Sequence, residues 1–275
     1  MKYGICNETF GDWPLDKSLR YARDAGYTGW EVAPFMLTDD IFSYDGEQRK
    51  AYREAVESAG FEVIGLHWLL AKTEGLHLTQ GDADTRKRTT DYFCELARLC
   101  HDLGGKIMVL GSPQQRNLPG GSKPDSTVMD AAMKNAADVI SGVVPTLKQL
   151  GVQIALEPLG PQEGNFLNTA AEARTLQSMI GSEYVQLHLD VKAMSTESTP
   201  IPQLITDNAD AMLHFHANDP NRRGPGMGDV DFGPIFQALK DINYDGWVSV
   251  EVFDYEPGVE TLVSESMKNM LAANA

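Results

Sequence analysis

The sequence predicts a single closed (β/α)8 barrel spanning residues 1–275. Three observations carry that expectation. Short apolar segments alternate with helical patterns eight times along the chain. Short glycine-containing turns bring many of the helices back to the next strand. The longest connections all run from strand to helix, so they would gather at one end of a barrel. An open doubly wound sheet would want a phosphate-binding glycine turn after an early strand, and the sequence has none.

The first strand is expected over 3–8 (YGICNE), followed by a helix over 15–25 that ends at Asp24-Ala25-Gly26. Strand 29–34 (GWEVAP) leads to helix 45–59, closed by Ser58-Ala59-Gly60. Strand 62–68 (EVIGLHW) leads to helix 84–102 and the turn Leu103-Gly104-Gly105. Strand 106–111 (KIMVLG) precedes helix 127–150, which Asp125 to Thr127 are placed to cap and Leu150-Gly151 to end. Strand 153–158 (QIALEP) precedes helix 169–180, with Thr169 at its start. Strand 185–191 (VQLHLDV) is followed by helix 201–208, and strand 211–217 (AMLHFHA) by helix 232–242 and the turn Tyr244-Asp245-Gly246. Strand 247–253 (WVSVEVF) and helix 259–272 complete the eighth unit. A glycine just past a helix supplies the left-handed cap from which the chain turns back. The longest connections follow the third to seventh strands, at the C-terminal face where barrel active sites form.

Composition narrows the function. With 42% hydrophobic and 23% charged residues the chain is an ordinary globular protein, large enough to bury a substantial core. Thirty-nine acidic against 23 basic residues give a net charge of −16, which argues against nucleic acid or an anionic membrane as partner. The longest basic run is Arg86-Lys87-Arg88. The opening MKYGICNETFGD lacks the pattern of a signal peptide, and no window approaches eighteen consecutive apolar residues. Cys6, Cys94 and Cys100 form no CxxC pair and read as free thiols in a reducing compartment, so a soluble cytoplasmic protein is expected.

Four late strands carry charged groups where Val or Ile would be usual: Glu157 in IALEP, Asp190 in LHLDV, His216 in LHFHAND and Glu251 in VSVEVF. Strand alternation puts Glu157 with Ala155, Asp190 with His188, His216 with His214, and Glu251 with Ser249 on common faces. If those faces point into the barrel mouth, three carboxylates and an imidazole converge. Unpaired carboxylates at such depth are costly, and a divalent cation both removes the cost and gives the cluster a purpose. Three oxygen ligands and one nitrogen suit Mn, Mg or Co better than a thiolate-rich zinc site, although Zn also fits. The bland alternative is that some of these residues form core ion pairs or helix caps. His188 and His214, two residues deeper, are expected to be packed, hydrogen-bonded histidines that orient the carboxylates.

Around such a metal, Glu163 and Arg222 each follow a quartet member by six positions and are placed to grip hydroxyls of a sugar or polyol. Arg222 lies in the long Gly/Pro-shaped loop HANDPNRRGPGMGDVDF, which suits a wall or lid, and Arg223 reads as the surface residue of the pair. Glu8 and His67 end the first and third strands and extend the pocket rim. Trp13, Phe35 and Trp68 are candidates for an apolar wall. Gln115 and Arg116, in GSPQQRNLPGG, either bind substrate or close the barrel top.

The whole chain resembles the xylose-isomerase-like TIM-barrel superfamily, particularly its branch of sugar phosphate isomerases and epimerases, which includes ketose 3-epimerases, hydroxypyruvate isomerase and inosose dehydratase. The resemblance rests on ALEPLGPQEGNFLNTAAEA at 155–173, LHLD at 187–190, HFHANDPNRRGPGMGDVDF at 214–232 and DGWVSVEVF at 245–253. It implies that Glu157, Asp190, His216 and Glu251 bind the metal. It also implies that Glu157 and Glu251 move protons on opposite sides of the substrate, and that Glu163 and Arg222 hold its oxygens. The implied reaction is epimerisation or isomerisation of a keto-sugar or hydroxy-ketone through an enediolate. Expulsion of a β-hydroxyl would make the same machinery a dehydratase or lyase of a cyclic polyol or keto-sugar, and a noncatalytic sugar-binding barrel is the third alternative. One departure stands out: the epimerases carry a histidine three residues after the aspartate, where this chain has Ala193. Lys192 beside it is expected to point the other way if the strand continues. The endonuclease branch of the superfamily, with a three-zinc cluster, needs more histidines than the six present, of which His77 and His101 look peripheral. A homo-oligomer is expected only by analogy with barrels of this size.

Overall fold

Every strand pairs in parallel with its chain neighbours, and β1 (Lys2–Cys6) closes the sheet against β8 (Trp247–Val250). Between them run β2 (Gly29–Val32), β3 (Glu62–Leu66), β4 (Ile107–Leu110), β5 (Gln153–Leu156), β6 (Val185–Asp190) and β7 (Met212–Ala217). The order around the sheet is the order along the chain, so this computed structural model is the closed (β/α)8 barrel that the alternation predicts. It describes residues 1–80, 82–120 and 124–275; Gly121, last in the GSPQQRNLPGG loop, lies outside them.

The helices are α1 (Leu15–Ala25), α2 (Gly46–Ser58), α3 (Ala83–Asp102), α4 (Ser126–Leu150), α5 (Ala170–Ile180), α6 (Val191–Met194), α7 (Ile201–Asp207), α8 (Phe232–Asp241) and α9 (Val259–Ala273). Local chemistry sets their ends. Asp125 accepts a hydrogen bond from Val128 N–H at the start of α4, and Thr169 does the same for Glu172 N–H in α5. Such caps contribute about 1 kcal/mol each. Gly151 and Gly181 close α4 and α5 with φ of +66° and +64°, a region where an L side chain is strained. The sequence pattern did not show the short 3-10 turns Asn7–Phe10 and Pro34–Met36, or α6, which continues directly from β6.

Two apolar regions hold the barrel. Outward-facing residues such as Ile5, Val32, Leu110, Leu156, Leu189 and Phe215 pack against the helices in one continuous core. Each such side chain stabilises the fold by about 1.5–3 kcal/mol relative to exposure. Inside the barrel, Ile64, Ile107, Val109, Ala155 and Trp247 plug the end where the strands begin. Above that plug the interior turns polar, with Glu31, His188, His214 and Ser249 all buried. The strand-to-helix connections 67–82, 111–125, 157–169 and 218–231 are long, whereas returns such as 26–28 and 151–152 are short. The connection 33–45 joins the long set, while much of the one after β6 is helical. Among the described residues no helix is long and apolar enough to cross a membrane.

Candidate metal centre at the barrel mouth

Glu157, Asp190, His216 and Glu251 sit at or just beyond the C-terminal ends of β5, β6, β7 and β8, and all four are buried. One ligand atom each from Glu157, Asp190, His216 and His188 lie within 4.8 Å of one another. Glu251 joins this group through His216, whose Nδ1 lies 3.0 Å from Glu251 Oε2. Its other oxygen accepts from Trp68 Nε1 at 2.8 Å and lies 3.2 Å from His67 Nδ1. Asp190 is held from two sides: Oδ1 accepts from Ala193 N–H at 2.8 Å and Oδ2 from Asn218 Nδ2 at 2.5 Å. Gly111 makes room for Glu157, since a Cβ there would stand 1.5 Å from Glu157 Oε2.

The electrostatics are those of a site short of positive charge. Burial, reinforced by Glu251 and Asp190, holds the Glu157 carboxyl well above its ordinary value. Burial also raises Asp190, although Lys192 opposes it. Burial works against a charged His216, yet Glu31 and Glu251 outweigh it and keep the imidazole protonated well above its usual range. Burial likewise opposes ionised Glu251, and His216 more than reverses this, leaving its carboxyl below the ordinary range. His188 is fully buried with neither ring nitrogen hydrogen-bonded among the described residues, and burial keeps it neutral. A buried donor set of this kind, with an unpartnered imidazole at its base, fits a divalent cation.

A supporting layer lies beneath. Glu31, on β2 and fully buried, accepts from His214 Nε2 at 3.0 Å and from His216 Nε2 at 3.1 Å. That leaves Nδ1 of His216 facing Glu251. His214 is thus the hydrogen-bonded core histidine the sequence suggests. His188 departs from that expectation, because neither ring nitrogen is hydrogen-bonded among the described residues; its centroid is 4.2 Å from that of His216.

The pocket above is lined by His67, Trp68, Glu157, Glu163, Arg222, Glu251 and Phe253, among others. Glu8 is buried behind His67, with Oε2 2.9 Å from His67 Nε2 but out of hydrogen-bonding alignment. Arg222 adopts φ +72°, held by its N–H donating to Asp219 O and by its carbonyl accepting from Phe253 and Asp254 N–H. Arg223 instead pairs with Asp254 and Glu256 away from the pocket lining, but against expectation it is the half-buried member of the pair and Arg222 the exposed one. Phe35 meets Trp68 edge-on, whereas Trp13 meets Tyr21 edge-on outside this pocket. Arg116 is buried and braces the barrel top by donating to the carbonyls of Leu110 and Glu157. Gln115 is buried beside it, its carbonyl accepting from Leu78 N–H.

The profile of the xylose isomerase-like TIM barrel matches residues 19–273. The chain belongs to this family. Within it, the chain is 36% identical over 268 residues to a D-psicose 3-epimerase of Enterocloster bolteae, covering 94% of this chain and 84% of the relative. It is 27% identical over 257 residues to the 3-dehydro-D-guloside 4-epimerase of Escherichia coli K12, covering 91% and 92%. Among solved structures, an L-ribulose 3-epimerase superposes with a TM-score of 0.86 over 100% of this chain and 95% of its own, at 22% identity, a likeness of fold. The chain is thus a xylose isomerase-like barrel of the sugar epimerase branch.

Against the family pattern, the structure corrects one expectation. Lys192 does not point away from the site. The β-ladder ends at Asp190 and α6 begins at Val191, so strand alternation no longer applies. The turn carries Lys192 Nζ to 2.6 Å from Glu163 Oε1. Burial pulls the lysine's pKa down, but Asp190 and Glu163 reverse that and keep it charged. Sequence reasoning also missed Glu31 and Asn218. A charge in the apolar strand GWEVAP was the available signal for Glu31; for Asn218 there was only its place beside the His216 motif.

Proposed function

We propose that this barrel is a divalent-metal-dependent epimerase or isomerase of a small keto-sugar or hydroxy-ketone, working through an enediolate. The observation that carries the reading is the clustering of Glu157, Asp190, His216 and Glu251 at the ends of four consecutive strands, with Glu157 and Glu251 lining the pocket above. These four would hold the cation, with Mn, Mg or Co suited to three carboxylates and one imidazole, and Zn also compatible. When bound, the cation supplies Lewis-acid polarisation of the substrate carbonyl. The keto-sugars named for the relatives give the substrate class.

The chain's own groups account for the rest. Glu157 and Glu251 reach the pocket from β5 and β8, so a substrate between them meets a carboxylate on either side. One removes the proton next to the carbonyl, and the other returns one to the opposite face or the neighbouring carbon. His67 and Trp68, at Glu251 Oε1, fix the orientation of that carboxylate. Glu163 and Arg222 hold substrate hydroxyls, while Trp68 and Phe253 cover its apolar faces and exclude water. Glu8 supports the rim through His67. Three free thiols suit a cytoplasmic setting, and a homo-oligomer is an analogy with other barrels of this size.

The test is solvent exchange. Manganese-loaded protein in heavy water should place deuterium next to the carbonyl of at least one ketose from a panel. Glu157→Gln and Glu251→Gln should each reduce that exchange by roughly a hundredfold or more. A metal-bound protein that exchanges no ketose would move the noncatalytic sugar-binding barrel to the front.

A further inference from the structure

Lys192 is an ammonium where packing alone asks for none. Its side chain is almost sealed from solvent, with Nζ donating to Glu163 Oε1 at 2.6 Å and standing 4.6 Å from the centre of the Phe253 ring. Glu163 and Phe253 both line the central pocket, so the ammonium lies directly behind its polar wall. Burying an ion pair costs about as much desolvation as the attraction returns, so structural need is a poor account of it. The Glu163 carboxylate is also only half used, because Oε2 is buried with no hydrogen-bond partner among the described residues. Of the three ammonium protons, Glu163 takes one. A donor and an acceptor side by side match a single hydroxyl, which accepts from Nζ while donating to Oε2. Ala193, the next residue in the turn, has only a methyl group to offer.

We infer that Lys192 is a substrate-binding, specificity-determining residue whose ammonium, together with Glu163, reads one hydroxyl of the keto-sugar. This rests on the reading of the chain as a keto-sugar epimerase or isomerase. Such a pair discriminates steeply, because a sugar lacking that hydroxyl leaves both partners unpaired.

The experiment compares the manganese-loaded full chain with its Lys192→Met and Lys192→Arg variants on ketoses and matched deoxy-ketoses. It reads KM and kcat for solvent-deuterium exchange, with manganese affinity measured in parallel. Lys192→Met should raise KM for the hydroxylated ketose about tenfold or more, with a smaller change in kcat. For the deoxy-ketose missing the contacted hydroxyl it should change little, so the preference between the two sugars collapses. Lys192→Arg should retain part of that preference together with the wild-type manganese affinity, whereas Lys192→Met removes a charge that acts on Asp190, so its kinetics are read at saturating manganese. Unchanged KM and sugar preference in a manganese-bound Lys192→Met protein would overturn the inference and leave the epimerase reading standing. Absence of exchange by the wild type with every ketose defeats that reading, and the inference falls with it. Should Lys192→Met fail to fold, Glu163→Gln breaks the same pair and must collapse the same preference; a preserved preference there also overturns the inference.

Discussion

Glu31 accepts from two imidazole N–H groups at once at Oε2, and its second acceptor oxygen, Oε1, lies 3.2 Å from His216 Nε2. A glutamine would offer one acceptor and one donor to His214 and His216. His216 could then carry its proton on Nδ1, the nitrogen that faces Glu251, and that tautomer cannot ligate a cation. Glu31→Gln should therefore weaken manganese binding about 10–100-fold, measured by competition with a chelating dye. Wild-type affinity in that variant would mean packing alone orients His216. At this scale the sequence was informative wherever a charge broke an apolar strand. Glu157, Asp190, His216 and Glu251 stood out that way, reinforced by one another in adjacent units. Glu31 carried the same signal between Trp30 and Val32, but its partners His214 and His216 are distant in the chain, and only barrel closure brings them to it.

At the scale of elements, side-chain direction depends on where each strand stops. The expected strands 3–8, 29–34, 62–68 and 247–253 all overran the observed ladders, because their last residues leave the sheet to form the mouth. Alternation placed Glu157 and Glu251 well, being one step past their strands, and failed for Lys192, which lies inside α6. The end of β4 matters for a different reason. Gly111 is the space that the Glu157 carboxylate occupies, so any Cβ there forces the carboxylate to move. Gly111→Ala should lower manganese affinity by about tenfold or more while costing the fold only about 1–3 kcal/mol. Metal titration beside thermal melting separates the two effects. The 218–231 loop is likewise built: Asp219 accepts from Gly228 N–H and its backbone closes on Arg223, presenting Arg222 to the pocket.

For the molecule as a whole, the site is a store of unfavourable charge that a cation relieves. Glu157 is raised, so the folded metal-free chain keeps a proton that the unfolded chain releases above its ordinary value of 4.5. His216 is also raised, so its contribution is complete below 6.5 and is lost as pH climbs through its folded value. Glu31 and Glu251 are lowered, and their contribution is lost only on acidification below 4.5. His188 and His214 are lowered and stay neutral, so they add stability as pH rises up to 6.5; above 6.5 the metal-free barrel should lose stability as pH rises. Manganese competes with the protons on Glu157 and His216, so its affinity should rise with pH. At a fixed concentration that is a hundredfold excess over the Kd at pH 8 it should add about 2.7 kcal/mol there, roughly 5–10 °C in Tm, and less at about pH 6. Scanning calorimetry at the two pH values checks both signs; a gain independent of pH would mean that binding displaces no protons from the site.

The barrel itself was legible in the sequence, because period-2 apolar strands, capped helices and glycine returns are local properties that eight repeats reinforce. The metal-binding character was legible too, since buried charges at successive strand ends need a common counter-charge. What only the tertiary structure decided were the pairings across the barrel: Glu31 with His214 and His216, Glu251 with His67 and Trp68, and Lys192 with Glu163. Each joins residues remote in sequence: Glu31, His214 and His216 lie within β2 and β7, which sheet closure brings together, while the other pairs lie where strands have ended. Periodicity carries no information there. Closure of the sheet and the turn into α6 supply it.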